Sequence, residues 1–355
     1  MELSFKPNLA EALEHWRAFW SKDLIKRPCC AVTAPKDGVT PVGGPPYPTR
    51  PTDDFGKEMD QAEASLACRY FAGEAMPFYE PSFGPDQVAA FVGGRLDYST
   101  DSSGTSWSVP FVESWEDALP LRLGHGNNSW QRMLELMRVA GQRGEGKFLV
   151  GMLDLHSNLD WLVGVRGPDR VCMDLLDAPE LVHRAMSNVR ALYPQTYDAL
   201  YDAGNMAGRG SCGWLPYFAE GRWATVQCDF SCLLSPAQFD EFVLPALTEE
   251  CDLLDHTVYH YDGKTCLQHF DSITGIRSLD GIQWTPTAGG PPMTGWVELL
   301  QRFQATGKNV FVSCSAEELK SVFHPALKPN LVFYSVGVGS QKEADDLLKW
   351  LEQHT

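Results

Sequence analysis

Between Thr257 and Cys314 three short runs, TVYHYDG, GIQW and NVFVSC, are built from β-branched and apolar residues and then stop at residues able to do chemistry. The stops are His260 and Asp262, then Gln283 and Trp284, then Cys314. The segments between them carry helical periodicity, and strands alternating with helices read as parallel neighbours in one sheet. In a (β/α)8 barrel every strand delivers its last residue to the same end, so three polar strand ends in a row predict one shared pocket.

The same rhythm extends through the chain. CCAVTAP (29–35), FLVGMLDLH (148–156), the stretch 206–212, WATVQCD (223–229) and LVFYSVG (331–337) read as further strands. Asp154 and His156, then Trp214, then Asp229 stand at or just beyond three of their ends. Helices are expected over 9–20 with Asn8 as N-cap, over 53–72, over 129–141 with Asn128 as N-cap, and over 178–201 between Pro179 and Gly204. Ser235 with Gln238, Ser315 with Glu318 and Ser340 with Glu343 match the reciprocal capping pattern, each a few residues after a strand. Pro245 should kink the helix it falls in. Residues 36–52 are dense in Pro and Gly and predict an irregular loop, while 105–112 predict an excursion from the barrel. The expectation is one TIM-barrel domain over 1–355, with 1–75 as a helical and loop N-terminal extension.

Charge and composition narrow the function. The formal net charge is −17, from 29 basic and 46 acidic side chains, with no Lys/Arg-rich block to relieve it. Phosphate backbones and anionic membranes would be repelled, so no nucleic-acid or membrane partner is expected. The N-terminus lacks a basic start followed by an apolar core, no membrane-length apolar run occurs, and a cytoplasmic protein is the expectation. Ten cysteines in so long a chain, mostly singletons inside apolar runs, read as reduced thiols. GRGSCG (208–213) matches a dinucleotide-binding spacing, but it leads into Trp-Leu-Pro rather than a helix and reads as a chance match.

The ordered segments YHYDGKTCLQHFDSI, SLDGIQW and GKNVFVSC resemble the uroporphyrinogen decarboxylase-like superfamily of (β/α)8 barrels. CDFSCLLSPAQFDEFVLPAL and DWLVGVRGPDRVCMDLLDAPELVHRAM are similar to further stretches of it, and the likeness spans residues 148–350. The resemblance implies either cofactor-free decarboxylation, as in porphyrin metabolism, or zinc-dependent methyl transfer between a methyl-corrinoid protein and a thiol. The true decarboxylases carry an Arg-Gln-Ala-Gly-Arg-Tyr segment near the N-terminus for the substrate's carboxylates, where this chain offers only Arg27. The methyltransferases carry His-x-Cys on one strand end and a later Cys on another as zinc ligands; here the first reads His260-Tyr261-Asp262 and the second is Cys314.

The leading expectation is a methyltransferase acting on a small molecule, with zinc held by His260, Asp262 and Cys314 and a corrinoid protein as partner. His260, Asp262, Asp229 and Gln283 are the catalytic candidates, and Asp154, His156, Trp214 and Trp284 the substrate contacts. A metal-free decarboxylase of a small carboxylate is the alternative within the fold, and a non-catalytic ligand-binding barrel the alternative outside catalysis. Cys314, just before a capped helix, is expected to ionise readily unless apolar burial prevails.

Overall fold

Where β-branched and aromatic runs are bracketed by Gly, Pro or capping serines, strands form. They are β1 (Cys29–Pro35), β2 (Arg69–Gly73), β3 (Phe78–Tyr79), β4 (Arg95–Tyr98), β5 (Ser106–Val109), β6 (Leu149–Met152), β7 (Ser211–Gly213), β8 (Phe218–Ala219), β9 (Trp223–Gln227), β10 (His256–Asp262), β11 (Gly281–Thr285), β12 (Asn309–Ser313) and β13 (Val332–Gly337). The computed structural model describes residues 2–46, 55–99, 105–287 and 289–355. Residues 47–52 of the expected irregular loop lie outside them, and 36–46 are irregular apart from turns.

The larger sheet has the order β2-β1-β13-β12-β11-β10-β9. Every pair in it is parallel except β1 with β2, which is antiparallel. A second sheet runs β3-β6-β7-β8, parallel until the closing β7–β8 hairpin. β4 and β5 form a separate antiparallel hairpin, the excursion expected around 105–112. The fold is mixed α/β with a mainly parallel sheet. Among the described residues the larger ladder ends at β2 and β9, so strand pairing alone does not close it into the expected barrel; β7 nevertheless packs against β9.

Two expectations about the N-terminal part change. The stretch 53–72 is not all helix: the helix stops at Ala67, and Arg69–Gly73 pairs with β1. Nor are residues 1–75 an appendage, because CCAVTAP is almost wholly buried and lies between β13 and β2. Helix Leu9–Trp20 packs its buried Leu9, Ala12, Trp16 and Phe19 against the core, Trp16 meeting Phe333 of β13 at 4.9 Å between ring centroids. Neither Asn8 nor Asn128 caps through its side chain; Asn127 Oδ1 takes the Ser129 amide instead, at 2.8 Å.

The helices after β9 and β12 repeat one device. Ser235 and Ser315 each complete a capping box with Gln238 and Glu318. Both helices then widen into a π-turn, Phe239–Val243 and Leu319–Phe323, just before Pro245 and Pro325. The cause is common: a proline supplies no N–H and its ring clashes with the carbonyl four residues back, so the turn before it opens. Pro245 therefore widens its helix without ending it. At Ser340 the hydroxyl takes the Glu343 amide, but Glu343 turns to the Gly339 amide, so this cap is half reciprocal.

Candidate active site

Parallel strands in register send paired residues out of the same face. Gln227, His260, Gln283, Phe311 and Phe333 are paired in that way across β9 to β13, so they share the inner face. His260 confirms it: its Nδ1 bonds Oε1 of Gln283, whose Nε2 donates to Thr285 Oγ1 at 2.7 Å. The Trp214 indole meets the His260 ring edge-on, 5.0 Å between centroids and 80° between planes. Asp229 and Asp262, two residues beyond Gln227 and His260, leave on the same side. One ligand atom each from Asp229, His260 and Asp262 lies within 4.8 Å of the others.

A second group adjoins it. His156, Asp160 and Asp229 likewise bring ligand atoms within 4.8 Å of one another. Helix Asn158–Arg166 places Asp160 in its first turn, where the buried carboxylate accepts the Asp229 amide at 2.7 Å and the Phe230 amide at 2.9 Å. His156 lies between two carboxylates, Nε2 at 3.2 Å from Asp154 and Nδ1 at 3.4 Å from Asp86.

Burial and crowded charge set the protonation of this wall. Burial pushes the Asp160 carboxyl up to about 7, and the Asp229 charge adds to it against the opposing pull of His156. Asp229 is also raised, by burial first. Burial alone would depress His156, but Asp154 and Asp86 overcome it and hold the ring well above the ordinary histidine value. Glu80 is pushed up to about 8, by burial and then by Asp154. Perturbed groups gathered at strand ends are what an active site supplies.

The site therefore assembles Asp154, His156, Trp214, Asp229, His260, Asp262 and Gln283 from among the expected residues. Cys314 and Trp284 are not part of it. Cys314 follows the pleat of Val312, which pairs with Tyr334, itself paired with Cys30; the thiol neighbours that outer layer and falls in neither donor group. Apolar burial prevails over the helix terminus and pushes Cys314 up to about 12, with Glu318 adding to it. Trp284, fully buried, faces the helices and packs on Trp296 at 4.9 Å. Asp160 and Asp86 carry roles that the sequence reading did not assign. Asp160 opens the DWLVGV stretch of the family resemblance, and Asp86 stands at a helix start, where capping is the ordinary expectation.

Cys314 is expected to alkylate slowly at pH 8, with a thiolate fraction on the order of 10³-fold below that of an exposed thiol. Added zinc should leave its labelling unchanged, as read by mass spectrometry of the Cys314 peptide. Fast labelling that zinc suppresses would return Cys314 to the metal site.

No protein-family model matches the chain, and no curated protein matches it. Among solved structures it is similar to a methyltransferase from Methanosarcina mazei, with a TM-score of 0.64, 13% sequence identity and coverage of 99% of both chains. At that identity the likeness is one of fold. Among the described residues no helix is long and apolar enough to cross a membrane.

Proposed function

We propose that residues 1–355 form one (β/α)8 unit of the uroporphyrinogen decarboxylase-like superfamily that transfers a methyl group from a methyl-corrinoid protein to a thiol. A zinc ion would be held by His260, Asp262 and Asp229, with Asp229 taking the place expected of Cys314. The observation that carries this reading is the convergence of those three donors within 4.8 Å. One imidazole and two carboxylates are an acceptable zinc set that leaves a position open for substrate. The residues fit in a further respect: Asp229 Oδ1 is buried with no hydrogen-bond partner among the described residues, an oxygen in want of a cation or donor.

When bound, zinc supplies the Lewis acidity that keeps a coordinated thiol deprotonated near neutral pH. The protein's own groups do the rest. Gln283 Oε1 accepts the hydrogen bond of His260 Nδ1–H, which fixes the tautomer and leaves the Nε2 lone pair free for a metal. The Trp214 edge holds the ring plane.

One feature favours the decarboxylase alternative: burial raises the Asp160 carboxyl, and a carboxyl kept protonated can protonate a carbanionic carbon. Uroporphyrinogen itself is a poor fit, since Arg27 is buried in an ion pair with Glu74 and unable to meet a substrate carboxylate.

The test is purified protein supplied with methylcobalamin and a thiol. Expected is thiol-dependent demethylation that a chelator stops and zinc restores. Chelator-insensitive carbon dioxide release from a small carboxylate would decide for the decarboxylase, and neither activity would leave a binding protein.

A further inference from the structure

Asp229 belongs to both donor groups, the one with His260 and Asp262 and the one with His156 and Asp160. We propose that the site takes two divalent cations, one between His260 and Asp262 and a second between His156 and Asp160, with the Asp229 carboxylate bridging them. The proposal rests on the first cation site described above and adds a second that no mononuclear enzyme needs. Dinuclear centres of this kind hold their ions roughly 3.5–4 Å apart, a separation that one bridging carboxylate spans.

Charge argues for it. The groups whose charges act most strongly on Asp160 and Asp229 are the two carboxylates' other acidic neighbours, His156 and His260; no Lys or Arg stands among them. Asp86 and Asp154 flank His156, and Asp229 stands with Asp160 and His156 on one side and with His260 and Asp262 on the other. A single divalent ion at His260 leaves the His156 side acidic.

His156 is arranged as a ligand with its support in place. Its contacts to Asp154 and Asp86, 3.2 and 3.4 Å, are longer than the 2.7–2.9 Å or so of a strong charge-assisted bond. A cation can displace the proton from one ring nitrogen while the carboxylate on the other orients the ring, the arrangement that supports metal-bound histidines.

Unmet oxygens supply the independent sign of a ligand. Gln227, 1% exposed, has an amide oxygen with no hydrogen-bond partner among the described residues. It is in register with His260 on the inner face and two residues before Asp229. Asp229 Oδ1 and Asp154 Oδ1 are buried and unpartnered in the same region. Nitrogen and oxygen donors of this kind suit zinc, cobalt or manganese.

Metal-free full-length protein titrated with Co²⁺, followed by visible absorption and calorimetry, tests the assignment. Wild type should bind two equivalents, and His156→Gln and His260→Gln one each. Asp160→Asn, which keeps the shape of the side chain, should mimic His156→Gln and serves in its place if circular dichroism shows that variant unfolded. One equivalent in wild type, lost in His260→Gln and kept in His156→Gln, overturns the second site and leaves the mononuclear reading standing. Two equivalents that both survive His156→Gln and Asp160→Asn overturn it as well, and no uptake by wild type overturns both readings.

Discussion

Glu74→Gln is expected to destabilise the protein by about 3–5 kcal/mol, the scale of a buried ion pair that loses one partner. Glu74 is wholly buried, just beyond β2. Its carboxylate accepts both Arg27 Nη atoms, at 2.6 and 2.9 Å, and the Cys30 amide at 2.7 Å, and His15 Nδ1 lies 3.2 Å away. Its carbonyl takes the Trp16 indole N–H at 3.1 Å, and Lys6 donates to the Phe71 and Gly73 carbonyls beside it. One side chain thus ties the first helix, β1 and the β2 edge together. The amide can keep one acceptor but leaves the Arg27 charge buried without a counter-charge. Urea unfolding should show a lower midpoint with little change of slope.

The same residue predicts the acid limb of stability. Burial alone would raise the Glu74 carboxyl, but the bonds from His15 and Arg27 overcome it and hold the group at about 2, against an ordinary 4.5. A carboxylate depressed in the folded state binds fewer protons than in the unfolded state. Its contribution is therefore complete above about pH 4.5 and lost as pH falls towards about 2. Wild type should lose stability across that window, and Glu74→Gln should show a flatter profile. A variant as stable as wild type at pH 7 would reduce the network to packing.

Strand positions were legible because each is a short apolar run closed by a turn or a capping serine, and β1, β9 to β13 and two capping boxes follow from those runs directly. The candidate site was legible where strand ends supply it: His260, Gln283 and Asp229 meet because β-register brings them to one end. What the sequence hid was parity and partnership. Cys314 is one residue past Ser313, and in a pleated strand one residue is the difference between the inner and the outer face. Asp160 sits on a helix, and its closeness to Asp229 comes from two backbone amides 69 and 70 positions away, a spacing that no local pattern carries. Glu74 was equally silent, since a lone Glu after a strand does not announce a buried guanidinium.

The largest catalytic effect is expected from His260→Ala, set beside Cys314→Ser. His260 is the nitrogen donor of the group with Asp229 and Asp262, and it is held from both sides by Gln283 and the Trp214 edge. Removing even an outer partner of a metal-bound histidine typically costs 10–100-fold, so loss of the ligand itself should lower kcat/KM by more than about 100-fold and remove on dialysis the zinc equivalent held with Asp229 and Asp262. Stability should change far less, because the ring is half-buried and, among the described residues, its one side-chain bond runs to Gln283, which keeps Thr285 as a partner. Cys314→Ser removes a thiol from the outer layer and should leave both zinc and turnover near wild type. The pair separates the two geometries cleanly: zinc lost with Cys314 and kept with His260 would mean that the metal sits on the other face of the sheet, and the inner-face assignment would fall.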